Sequence, residues 1–157
     1  MSSVPRGSLK NPIHFLALGF GSGMAPKAPG TFGTLAAVPI VAGLSLFSSS
    51  TYLIALLVVT VSGFWICGKT AKDWGVHDHS AIVWDEIAGF MLTMLWVPVS
   101  WTSLIVGFAL FRLFDIAKPY PISWLDKNVS GGTGIMVDDL LAGIFAGVLL
   151  QLFLFVI

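Results

Sequence analysis

Three stretches of this chain carry no Lys, Arg, Asp or Glu: 28–68, 87–111 and 140–157. Backbone inside a bilayer must satisfy its own hydrogen bonds, so stretches like these fold as helices when lipid is the solvent. The first is too long for one crossing, which takes about 20 apolar residues. Ser48-Ser49-Ser50-Thr51 divides it into a hairpin of two helices, about 32–47 and 52–67. The second breaks at Pro98-Val99-Ser100-Trp101-Thr102, giving about 82–97 and 103–117, and a last helix runs from about 137 onward. The pattern predicts an all-α polytopic membrane bundle of about five apolar helices in hairpins. Every charged loop then falls on one side, where water satisfies groups that lipid would penalise. All Lys and Arg lie there, and the positive-inside rule makes that side cytoplasmic. A single crossing over 87–111 is the competing topology, and it would split the carboxylates between two faces.

Composition agrees. Of 157 residues, 56% are hydrophobic and 10% charged, against about 25% charged in soluble domains. Zero net charge argues against nucleic acid as a partner. Cys67 is the only cysteine, so no intramolecular disulfide is available. The length suits one unit: a polar arm over 1–12 and a membrane-embedded catalytic domain over 13–157. Within the arm, Val4-Pro5-Arg6-Gly7-Ser8 reads as a protease-site scar from cloning or as native sequence. No cleavable signal peptide is expected. Oligomeric state has no signature here.

Two segments echo each other. Ile82-Val83-Trp84-Asp85-Glu86-Ile87-Ala88-Gly89 and Ile135-Met136-Val137-Asp138-Asp139-Leu140-Leu141-Ala142-Gly143 each place a carboxylate pair ahead of a glycine. Each pair is expected in the first turns of an apolar helix, where the helix dipole favours negative charge. Gly89 and Gly143 follow Asp85 and Asp139 by four residues, on the same helix face, and small residues let membrane helices approach closely. Four carboxylates brought together repel unless cations lie between them. Hard oxygen ligands suit Mg²⁺, which recruits a substrate phosphate. The plainer alternative is two pairs capping helix ends in water.

Arg112, Asp115 and Lys118 recur every three residues along one helical stripe, and Pro119 ends it. Arg112 can grip a phosphate bidentately and Lys118 adds a point charge. Asp115 is either a fifth metal ligand or the partner of Arg112. Lys118 also suits a cation snorkelling to the surface. Gly30 and Thr31, in Ala28-Pro29-Gly30-Thr31, and Gly132, in Gly131-Gly132-Thr133-Gly134, sit in glycine-rich turns that can offer backbone N–H groups to an anion. Thr31 and Thr133 read as N-caps. His79, in His77-Asp78-His79-Ser80, is either a proton shuttle or phosphate ligand, or a structural loop histidine. Trp74, Trp84 and Trp124 are expected at the membrane surface on the charged side.

These blocks, with Gly19-Phe20-Gly21-Ser22-Gly23 and Gly75-Val76-His77-Asp78-His79, resemble the phosphatidylglycerophosphatase A family in content and order. The likeness covers nearly all the chain beyond residue 10. It implies a Mg²⁺-dependent phosphatase of the bacterial inner membrane acting on phosphatidylglycerophosphate to give phosphatidylglycerol, with the substrate's tails in lipid. Within that frame Asp85, Glu86, Asp138 and Asp139 would hold one or two ions, and attack by water or through a phospho-aspartate both remain open. A small ion transporter or channel component is the rival class. The uncharged spans and bare far loops offer such a path no polar lining.

Overall fold

A computed structural model describes residues 3–157. The chain is all-helical among the described residues: α1 (Pro12–Ala17), α2 (Pro29–Leu44), α3 (Ser49–Trp74), α4 (Trp84–Thr93), α5 (Trp101–Ala117), α6 (Ile122–Asn128) and α7 (Gly131–Val156). The polar arm forms one short 3-10 turn at Ser8–Lys10, and its first two residues lie outside the described set.

α3 and α7 are each 26 residues long. At 1.5 Å per residue each is roughly 39 Å long, enough to cross a hydrocarbon core of about 30 Å. Only 28% and 33% of their most apolar stretches are buried within the protein. A core helix of a soluble protein would bury most of that surface. Here Ile54, Val58, Val61 and Trp65 of α3, and Ile144, Val148, Leu152 and Phe155 of α7, form outward apolar stripes. Surfaces of that kind need lipid or another apolar partner.

The other three apolar helices are shorter. α2 has 16 residues, α5 has 17 and α4 has 10. α4 is the central element, buried along nearly its whole length and packed on α2, α3, α5 and α7. It ends at Thr93 rather than near 97, and left-handed Trp96 carries the chain away (φ 60°). Its closest neighbour is α7. A Cβ on Gly143 would lie 2.5 Å from the Gly89 carbonyl, and one on Gly89 would lie 2.8 Å from the Asp139 carbonyl. The two glycines that follow the carboxylates therefore meet at the helix crossing and bring both carboxylate pairs to one level.

Several local expectations are corrected. α7 begins at Gly131, six residues before the expected start, so Asp138 and Asp139 lie in its third turn. The helix dipole, which fades within the first turn, does not account for them. Thr31 and Thr133 are not N-caps. Ala28 precedes α2 in a left-handed conformation, Ser130 precedes α7, and both threonines lie inside the first turn. Trp84 is not a surface anchor. It is 7% exposed, and its indole N–H donates to the Val59 carbonyl at 3.0 Å.

Candidate active site

The start of α4, the end of α5, α6 and the third turn of α7 enclose a cavity of about 330 Å³ with the loop before α4. Asp78, Asp85, Glu86, Asp115, Asp126, Asp138 and Asp139 line it. They are seven of the chain's eight carboxylates. Lys118, His77 and His79 also face it.

Asp85, Glu86 and Asp139 form the tightest group, with one oxygen from each lying within 4.8 Å of the others. At that separation and an effective dielectric near 20, each ionised pair repels by roughly 3–4 kcal/mol. Three such pairs rival the whole stability of a domain, about 5–15 kcal/mol. Oδ1 of Asp85, Oε2 of Glu86, Oδ1 of Asp138 and Oδ2 of Asp139 are buried with no hydrogen-bond partner among the described residues. Buried carboxylate oxygens without a donor are strongly disfavoured. An all-oxygen set of this charge fits a hard divalent cation.

Asp138 and Asp115 are engaged elsewhere. Asp138 Oδ2 accepts from the Lys118 ammonium at 2.6 Å. Asp115 accepts from the Arg112 guanidinium one helical turn before it, and Glu86 Oε1 lies 3.9 Å from the same guanidinium nitrogen. Arg112 thus joins α5 to α4 and neutralises part of the acidic group. Its Nε is buried with no hydrogen-bond partner among the described residues.

Lys118 is not on the stripe of Arg112 and Asp115. It stands just past the end of α5, in left-handed backbone (φ 43°). Burial pulls its ammonium pKa down, but the hydrogen bonds it donates to Asp126 and Asp138 outweigh burial and raise it above the ordinary lysine value.

His79 is 8% exposed, and its Nδ1 accepts the Ala81 amide at 3.1 Å. In the neutral ring the proton then sits on Nε2. Trp74 packs edge-on against it at 5.3 Å.

The glycine-rich turns serve mainly as close-packing points. A Cβ on Gly30 would meet Glu86 Oε1 and lie 3.1 Å from both terminal nitrogens of Arg112. The Thr31 amide is spent on the Ala28 carbonyl at 2.9 Å. Gly132 lies against the α3 backbone, where a Cβ would meet the Phe64 carbonyl and come within 2.8 Å of the Gly68 nitrogen. From that turn it is Gly134 that lines the cavity. Asp126 was invisible as a site residue in the sequence, because one Asp in Trp124-Leu125-Asp126-Lys127-Asn128 reads as a polar loop. The available signal was its spacing of four from Ile122, with Trp124 and Lys127 on the opposite helix face.

Residues 15–154 match the family described as phosphatidylglycerophosphatase A. A phosphatidylglycerophosphatase A of Escherichia coli is 45% identical over 92% of this chain and 85% of its own length. One from Haemophilus influenzae is 48% identical over 88% of this chain and 86% of its own. A candidate phosphatidylinositol-3-phosphatase of Bacteroides thetaiotaomicron is 40% identical over 86% of this chain and 89% of its own. No solved structure matches.

Proposed function

Because the chain belongs to the phosphatidylglycerophosphatase A family, we propose that it hydrolyses the terminal phosphomonoester of phosphatidylglycerophosphate, yielding phosphatidylglycerol and phosphate. The gathering of seven carboxylates and Lys118 around one cavity carries the reading from family to site. An acidic pocket repels a phosphate unless a cation accompanies it, so activity is Mg²⁺-dependent. Asp85, Glu86 and Asp139 would hold the ion, with Asp138 and Asp115 at the rim of the same group. When bound, Mg²⁺ supplies charge neutralisation and Lewis acidity toward the phosphoryl group.

The remaining work falls to the chain's own groups. Lys118, which lines the cavity, and Arg112, which stands behind Glu86 and Asp115 of its lining, would balance the charge that spreads over the phosphoryl oxygens. His79 lines the same cavity and would offer a hydrogen bond to the glycerol oxygen as the P–O bond breaks, the proton for that oxygen coming from the water consumed in hydrolysis. Gly30 leaves room for Glu86 and Arg112 to lie side by side, while Thr31 and Gly132 support the backbone beside the phosphate region. The two acyl tails stay in lipid while the headgroup enters the cavity.

The surrounding architecture is a multi-pass bundle of the bacterial inner membrane, with residues 13–157 as its catalytic unit. α3 and α7 cross fully, α2 and α5 complete the bundle against a locally thinned or tilted interface, and α4 reaches the cavity from within. The cavity faces the cytoplasm, on the side that holds all the Lys and Arg.

Purified protein in detergent tests the activity. Phosphate release from phosphatidylglycerophosphate is expected with Mg²⁺, with loss in chelator and recovery on adding the ion back. Release that is unchanged in chelator, or absent under all conditions, contradicts the reading.

A further inference from the structure

The Lys118 ammonium is gripped by two carboxylates from two other helices: Asp126 Oδ1 on α6 and Asp138 Oδ2 on α7, each at 2.6 Å. An ammonium has three N–H donors. Two are committed here in directions set by separate elements, which fixes the direction of the third. Lys118, Asp126 and Asp138 all line the cavity that holds Asp85, Glu86 and Asp139.

The two grips differ in character. The Asp138 side chain is 8% exposed, whereas that of Asp126 is 40% exposed. α6 is seated by Ile122, which is fully buried. Asp126 follows by four residues and shares that inward face, while Trp124 and Lys127 are exposed on the other. A partly exposed Lys–Asp pair contributes little to stability. Holding the chain together is therefore a weak reason for a carboxylate at this point. Control of the ammonium's direction is a stronger one, because α6 has no other charged group facing the cavity.

We propose that Asp126 is a positioning residue: with Asp138 it fixes the Lys118 ammonium so that its third N–H meets the substrate phosphate. Asp126 itself touches no phosphate and acts through Lys118. The inference rests on the reading of this cavity as the site of phosphate hydrolysis.

A double-mutant cycle in mixed micelles of detergent and phosphatidylglycerophosphate tests it, with the melting transition of each variant as a folding check. Asp126→Ala is expected to lower kcat about tenfold with KM changed less than about twofold. Lys118→Met is expected to lower kcat on the order of a hundredfold. In the Lys118→Met background, Asp126→Ala should change kcat by less than about twofold, because its target is gone. Asp126→Asn keeps the shape and one acceptor oxygen. It should fall between wild type and Asp126→Ala, and it replaces Asp126→Ala in the cycle if that variant does not fold. Losses that multiply in the double variant would show a structural role and overturn the proposal, as would wild-type kcat in both Asp126 variants. A wild type that releases no phosphate overturns the functional reading as well. An active wild type with multiplying losses overturns this inference alone.

Discussion

Asp139→Asn is expected to lower Mg²⁺-dependent kcat by about a thousandfold or more while making the cation-free protein harder to unfold. Asp139 is 3% exposed, and its Oδ2 has no hydrogen-bond partner among the described residues. It shares a 4.8 Å group with Asp85 and Glu86. Removing its charge relieves two repulsions of roughly 3–4 kcal/mol each. Against this, the new amide leaves an N–H₂ group without an acceptor, which costs about 1–3 kcal/mol. The balance favours the variant, but proton uptake among the crowded carboxylates already relieves part of the repulsion in the cation-free wild type, so a rise in Tm of about 5 °C is expected in chelator. In wild type, saturating Mg²⁺ should raise Tm, because an ion bound only by the folded state stabilises it. In Asp139→Asn that rise should vanish. Activity and thermal melts on the same preparations check both halves. A variant that is less stable in chelator and still responds to Mg²⁺ would place the ion elsewhere.

Arg112→Ala should lose both fold and function. The guanidinium neutralises Asp115 and lies 3.9 Å from Glu86, and the Arg112, Asp115 and Glu86 side chains are at most 15% exposed. Deleting it leaves two buried carboxylates without their cation, a loss of about 3–5 kcal/mol. For a marginally stable bundle that shows as a large fall in Tm. Arg112→Lys separates the two roles. Lysine keeps the positive charge between α4 and α5, so most of the stability should survive. It lacks the planar fork that would, on the reading proposed above, hold Asp115 and a phosphate together. Its kcat/KM should fall on the order of a hundredfold. Wild-type kcat/KM in Arg112→Lys would remove Arg112 from the phosphate site and leave it a purely structural ion pair.

The uncharged intervals made the apolar helices legible, because a chain with so few charges leaves long stretches only where helices are apolar. Their ends were less legible. α3 continues past its apolar stretch to Trp74, and a Lys69–Asp73 ion pair one turn apart helps carry it there. α7 starts within Gly131-Gly132-Thr133-Gly134, residues of poor helix propensity. Close approach to α3 at Gly68 requires a residue without a side chain at 132, and that tertiary contact overrides propensity. The echo between 82–89 and 135–143 was legible as chemistry. The structure shows that it is also packing, since Gly89 and Gly143 set the crossing that levels the carboxylates. The division of labour within the acidic group was not legible. Adjacent residues on a helix point about 100° apart, so Asp139 joins Asp85 and Glu86 while Asp138 turns to Lys118. Nothing in a single sequence says which neighbour of a pair takes which direction. The grip of Asp126 on Lys118 depends on how α6 folds back along α7, a long-range contact with no local pattern of its own.

On the reading proposed above, Asp85, Glu86 and Asp139 hold a divalent cation. Binding of Mn²⁺, a spectroscopically visible stand-in for Mg²⁺, tests it most directly when followed by electron paramagnetic resonance on purified protein without substrate. Saturable binding in wild type, competed by Mg²⁺ and lost in Asp139→Asn with its fold intact, is the predicted result. Binding that is equal in wild type and Asp139→Asn, or absent from a wild type that hydrolyses its lipid in chelator, would contradict it.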